Sequence, residues 1–153
     1  MSKELINKFY TAFQQLDAET MASCYHPEVE FEDPAFGLLK GVHASNMWRM
    51  LCENQKGKGM KIDFTVNSTN TAHWEPIYTF SKPGRKVHNI IDAKFEFKDG
   101  LIIKHTDHFD LYRWSKMAMG MQGILIGWTP FFRKKLRQQT SHLLRKYESK
   151  LAL

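Results

Sequence analysis

A chain of 153 residues is long enough for one domain with a sizeable core, and 42% apolar with 25% charged residues argues against a disordered polypeptide. The net charge of +6 sits at one end: residues 133–150 hold seven basic groups against the single acid Glu148, so the rest of the chain is balanced. That distribution excludes a nucleic-acid-binding body and confines the question of charged partners to the C-terminal segment.

Lys3, Glu4 and Lys8 interrupt any apolar run at the start, so no secretory leader is expected. Ser2 can cap a first helix with an apolar stripe of Leu5, Ile6, Phe9, Tyr10, Phe13 and Leu16. Asp17 can cap a short second helix carrying Met21, Cys24 and Tyr25, and Pro27 forces an exit. Val29–Asp33 then alternates apolar and charged, the mark of a half-buried strand. Pro34 and Gly37 predict a loop, and a third helix runs from about His43 to Glu53 with Ala44, Met47, Trp48 and Leu51 on one face. Gln55 to Gly59 reads as a turn.

The period then changes to two. Strands are predicted over Lys61–Ser68 and His73–Phe80, with a hairpin turn at Lys82-Pro83-Gly84-Arg85. Two long strands follow, Val87–Lys98 and Leu101–Leu111, joined at Asp99-Gly100. Residues Trp114–Met121 form a short helical piece, Gly120, Gly123 and Gly127 break the pattern, and Thr129-Pro130 opens a last helix. Met117 to Trp128, the most apolar stretch, is too short and too glycine-rich to span a bilayer. Three helices, one strand and a meander of antiparallel strands predict an α+β domain: a curved antiparallel sheet wrapped around the N-terminal helices. Residues 1–112 make that domain, and 113–153 a helical extension packed on it. Cys24 and Cys52 form neither a disulfide framework nor a zinc spacing, so a cytoplasmic location is expected.

Side chains in a strand alternate between faces, so Val29, Phe31 and Asp33 share one face and Glu30 and Glu32 the other. Asp33 therefore ends an apolar row, where an ionised carboxylate is costly. In the long strands the inner face takes Val87, Asn89, Ile91, Ala93, Phe95 and Phe97, and then Leu101, Ile103, His105, Asp107 and Phe109. His105 and Asp107 lie about 7 Å apart on one strand. Asp33, His105, Asp107 and Tyr10 make a candidate acid–base set, because proton transfer at carbon needs a poised acid and a donor for the developing oxyanion. Phe31, Trp48, Trp74, Tyr78, Phe80, Asn89, Phe95 and Phe97 would wall a pocket whose low polarity raises a carboxylate's pKa.

Phe9-Tyr10-Thr11-Ala12, Glu32-Asp33-Pro34, Gly84-Arg85-Lys86 and the closing hairpin occur in an order that resembles the nuclear transport factor 2-like superfamily over about residues 3–111. Within it the chain resembles the ketosteroid isomerase and SnoaL-like polyketide cyclase group. The resemblance implies a cone-shaped fold, a homodimer, Asp33 as general base and Tyr10 in an oxyanion hole. The second oxyanion donor of ketosteroid isomerases, aligned from Gly84-Arg85-Lys86, falls on Ala93. Asp92 is one residue off and points outward. The resemblance thus implies no true ketosteroid isomerase. Asp107 matches the last-strand acid of the SnoaL-like cyclases.

The expected function is binding of a small apolar molecule, with isomerase, cyclase, lyase or hydrolase chemistry at a buried aspartate. The alternative is a non-catalytic ligand-binding or protein-interaction module. No nucleotide, flavin or metal is expected, since His105, Asp107 and Asp33 follow no ligand motif. Phe132, Leu136, Leu143, Tyr147 and Leu151 give the last helix an apolar side that covers the sheet or a second subunit. Contact of residues 129–150 with an anionic membrane is the competing role of that helix.

Overall fold

The computed structural model describes residues 2–80 and 84–152. In chain order it comprises α1 (Ser2–Gln14), α2 (Ala18–Ser23), β1 (Tyr25–Asp33), β2 (Gly37–Lys40), α3 (Val42–Gln55), β3 (Lys61–Val66), β4 (Thr71–Phe80), β5 (Arg85–His88), β6 (Ile91–Lys98), β7 (Leu101–His108), α4 (Leu111–Met119), α5 (Met121–Ile126) and α6 (Pro130–Leu151). The strands form one curved, unclosed sheet in the order β2-β1-β7-β6-β4-β3, with β5 paired to β4. The sheet is mixed rather than wholly antiparallel, because β1 runs parallel to β7. A hairpin cannot join parallel neighbours, and here nearly the whole domain is the connection.

The helical stripe of α1 buries Ile6, Phe9, Tyr10 and Phe13 against the concave face of the sheet. Each of the larger groups contributes about 1.5–3 kcal/mol by leaving water. Asp17 caps α2 by accepting from the Thr20 N–H. From α3, Met47 and Trp48 enter the same core, where Trp48 meets Phe9, Phe13 and Phe31 edge-on. Alternation holds in β1, where Val29 and Phe31 are buried, and in β6, where Ile91, Ala93 and Phe95 are buried.

Four departures have physical causes. The predicted loop at Pro34–Gly37 is tighter than expected, and the chain folds straight back as β2, pairing Asp33 with Gly37 and Phe31 with Leu39. Tyr25 leaves its predicted helix and begins β1. The long strand predicted over Val87–Lys98 breaks at Asn89-Ile90, where Asn89 Oδ1 takes the Ile90 N–H. A bulge opposite Glu96-Phe97 shifts the start of β7, so Ile102 is fully buried while Leu101 and Ile103 are half-buried. Lys82 and Pro83 of the predicted hairpin turn lie outside the described residues.

A second apolar cluster joins the C-terminal helices to the sheet: Val87, Leu111, Trp114, Ala118, Phe132 and Leu136. Asp110 caps α4 and Thr129 caps α6. From α6, Thr140 donates to the Ala35 carbonyl and Glu148 accepts from Asn46 and bonds His43, while Leu144 reaches the main core. The buried stripe of α6 is Phe132, Leu136 and Leu144; Leu143 and Leu151, expected to be covered, are exposed. Among the described residues, no helix is long and apolar enough to cross a membrane.

α5 packs on α4 through glycine. A Cβ on Gly123 would collide with the Ser115 carbonyl, and one on Gly127 with the Ser115 hydroxyl. Gly123→Ala should therefore force the two helices apart and destabilise the chain by about 1–3 kcal/mol. Urea unfolding measures this, and a Gly123→Ala chain as stable as the parent would show that the contact is not made.

Candidate functional site

Strand register assembles the site. Phe31 of β1 stands beside His105 of β7, which stands opposite Phe95 of β6. Further along, Asp107 stands opposite Ala93, while Asp33 ends β1 one residue past Glu32, which pairs with Thr106, and lies within the field of Asp107. Both acids thus share the inner face on neighbouring strands, next to a residue too small to cover them.

His105 is fully buried in a cage of rings. Its centroid lies 4.4 Å from Phe95, 5.0 Å from Phe31 and 5.4 Å from Phe9, and Trp48 stacks on it at 6.1 Å. Its two nitrogens are both bonded. The Tyr25 hydroxyl lies 2.8 Å from Nδ1, and Asp107 Oδ1 lies 2.9 Å from Nε2. Trp48 Nε1 donates to the Tyr25 oxygen at 2.8 Å. Indole can only donate, so Tyr25 accepts there and has its own proton available for Nδ1. In the tautomer in which Tyr25 donates to Nδ1, Nε2 carries the ring proton and donates to Asp107. Burial pushes the Tyr25 hydroxyl well above its ordinary value, which keeps it a donor. Trp74 Nε1 also points at Asp107 Oδ1, at 3.4 Å.

Asp33 closes β1. Its Oδ1 accepts from the N–H groups of Ala35 and Phe36 at 2.9 and 2.6 Å, an Asx turn that leads into β2. Its carboxyl is pushed up to about 7. Burial is the chief cause, and the charge of Asp107 adds to it. The Phe36 and Ala35 N–H groups and Arg137 act in the opposite direction. Among the described residues Oδ2 of Asp33 and Oδ2 of Asp107 have no hydrogen-bond partner. Tyr10 is fully buried and its hydroxyl is likewise unpartnered. Burial raises the Tyr10 hydroxyl first and Asp107 second, which puts it within the field of the same carboxylate.

The remaining predicted residues divide. Phe31, Trp48, Trp74 and Phe95 are buried in the main core. Tyr78 and Phe80 belong with the second cluster, where Trp114 Nε1 donates to the Tyr78 hydroxyl at 2.8 Å and Phe80 meets Trp114 edge-on. Asn89 is buried and serves its own turn. Phe97 is half-buried and lines a surface cavity of about 270 Å³ with Leu5 and Lys8. A second cavity, of about 440 Å³, lies between Asp17, Arg49 and Tyr147. Neither touches Asp33, Tyr10, His105 or Asp107. Around His105 the inner face is packed with the rings of Phe9, Phe31, Trp48 and Phe95. Asp92 points outward, as its phase requires, and bonds His73. Among the described residues no cluster is suited to a metal ion.

Tyr25 is the member of the network that sequence reasoning missed. A β-phase for Cys24-Tyr25 before Pro27 would have found it, but Tyr25 also fits the helical spacing of Met21 and Cys24.

A family model described as a SnoaL-like domain matches residues 6–105, from α1 to the middle of β7, and the helices after β7 lie beyond it. Among solved structures, TerC co-crystallised with polyporic acid is 20% identical, covering 76% of this chain and 97% of its own, at a TM-score of 0.61. An LEH-like epoxide hydrolase of M. tuberculosis is 19% identical over 81% of this chain and 92% of its own, at 0.55. An NTF2-like protein of unknown function from Burkholderia pseudomallei is 15% identical over 77% and 97%, at 0.59. Identities this low speak for the fold alone. No curated protein matches the sequence.

Asp33 yields a pH test. A carboxyl whose folded pKa is about 7 against an ordinary 3.8 holds its proton more tightly in the folded chain. Its contribution to stability is therefore present at low pH and lost as pH rises from about 4 through 7. Asp33→Asn keeps the oxygen that accepts from Ala35 and Phe36 but has no charge to desolvate. Its unfolding midpoint relative to the parent should climb between about pH 4 and pH 7 and level off above. A difference that does not change with pH would refute a raised Asp33.

Proposed function

The chain belongs to the SnoaL-like domain family, and from that premise we propose that it binds a small, largely apolar molecule bearing an oxygen function and moves a proton on it. What supports this reading is that Asp33 ends β1 and Asp107 lies on the neighbouring β7, close enough for its charge to act on Asp33, each with one carboxylate oxygen unbonded among the described residues. Asp33 is the general base, since a carboxyl titrating near neutral pH can both take and release a proton there. Tyr10 supplies the donor: a buried hydroxyl without a partner costs free energy that a ligand carbonyl or ether oxygen would recover. Asp107 is the neighbouring carboxylate, oriented by His105 and Trp74, and its charge adds to the proton affinity that burial gives Asp33. Tyr25 and Trp48 act through His105 as positioning residues.

Entry runs beneath the second cluster. Ala35 and Tyr78 belong to that cluster and lie beside Asp33, whose charge raises the Tyr78 hydroxyl after burial has done so. Phe109 touches both clusters and marks their seam. Displacing Trp114 and Tyr78 opens the way to Asp33. Isomerisation or cyclisation suits this set, and so does an elimination or hydration with water as the second reactant.

Native mass spectrometry of the purified chain, followed by extraction, identifies what it retains. With that molecule as substrate, Asp33→Asn should lower turnover about 10²–10⁴-fold. The parent's kcat/KM should rise with pH through about 7. If Asp33→Asn and Asp107→Asn both turn over at the parental rate, neither is the base, and the chain is a binding module of the same fold.

A further inference from the structure

α5 is inverted with respect to an ordinary surface helix. A helix on a soluble domain buries its large apolar side chains and shows polar ones to water. α5 buries Gly123, and the glycine that follows it, Gly127, is buried too. Met121, Ile124, Leu125, Ile126 and Trp128 are exposed, with Trp128 at 64%, and Phe131 at the start of α6 extends the patch. Met121, Ile124 and Leu125 recur at helical spacing and so form one stripe, and Trp128 follows in the turn after α5. Isolated exposed apolar residues need no explanation, but a contiguous group with a polar rim does.

The rim is basic. Lys116, Arg133, Lys134 and Lys135 are all exposed, and Lys135 Nζ lies 5.4 Å from the centroid of Phe131. From Leu111 to Tyr147 there is no acidic residue at all. We propose that α5 and the first turn of α6 dock this chain on an anionic lipid bilayer. The apolar stripe enters the boundary between headgroups and acyl chains, and the lysines and arginine meet lipid phosphates. Charge decides between this occupant and a second copy of the chain. A two-fold interface sets the same patch against itself, which would bring both basic rims together with no acid to offset them. Sequence reasoning centred a membrane role on residues 129–150. The structure moves it toward the N-terminus, because Phe132, Leu136 and Leu144 of α6 are taken up by the core.

Co-sedimentation of the full chain with vesicles of phosphatidylcholine, with and without phosphatidylglycerol, tests this. Binding should require the anionic lipid and fall with added salt. Trp128 is the single exposed tryptophan of four, so its entry should shift the intrinsic fluorescence to shorter wavelength. Leu125→Ser with Trp128→Ser should weaken partitioning roughly tenfold or more, with an unchanged unfolding midpoint because both side chains are already in water. Lys134→Glu should cost at least about fivefold. The proposal is overturned if anionic vesicles leave the chain in the supernatant, or if the serine variant sediments with them as the parent does. It is also overturned if light scattering shows a dimer that the serine variant abolishes while vesicle binding is untouched.

Discussion

A histidine and an aspartate buried two residues apart on one strand set the terms on which this core can pack. Neither can be left in an apolar interior without partners. The partners come from three other elements: Tyr25 from the start of β1, Trp48 from α3 and Trp74 from β4. Each bond fixes a side chain whose bulk also fills the core, so polar satisfaction and aromatic packing are solved by the same groups. The donor-only indoles give the chain of hydrogen bonds a direction, and the direction ends on Asp107 with one oxygen to spare.

The second apolar cluster is a separate solution to a separate problem. A curved sheet that does not close leaves one end open, and α4 and α6 cover it with Trp114, Phe132 and Leu136. The polar ties between the sheet and these helices include Tyr78 with Trp114, Arg85 to the Met117 carbonyl, Arg113 to the His88 carbonyl and Thr140 to the Ala35 carbonyl. Asp33 lies beside Ala35 and Tyr78, where the aromatic core meets the second cluster. A group at such a boundary can be both desolvated and reachable, as His105 cannot.

Period-two alternation made much of this legible. Val29, Phe31 and Asp33 on one face, and His105 with Asp107 on another, follow from spacing alone because a one-residue slip would turn buried groups out to solvent. The stripe of α1 and the cap at Asp17 are equally local. What spacing cannot report is an insertion or a neighbour. The bulge at Glu96-Phe97 changes the phase of β7 by one, and the two residues before Ile103 exchange faces. The pairing of β1 with β7 joins segments about half the chain apart and has no local signal. Tyr25 was ambiguous because a short helix running into a strand offers two periods at its junction. An aromatic inner face reads the same whether it walls a cavity or fills it, and here side chains from α1 and α3 fill it.

The parallel pairing of β1 with β7 has a consequence for how the molecule comes into being. Phe31 meets His105 across a loop that contains β2, α3 and four strands. Closing so long a loop costs entropy before any contact repays it, so this pairing belongs to the late part of folding. On a ribosome Asp33 emerges early and waits, with Phe31 and Val29 uncovered, until the last strand is available. The acidic pair does not exist in an N-terminal fragment that ends before β7, and the strand that completes it also completes the sheet.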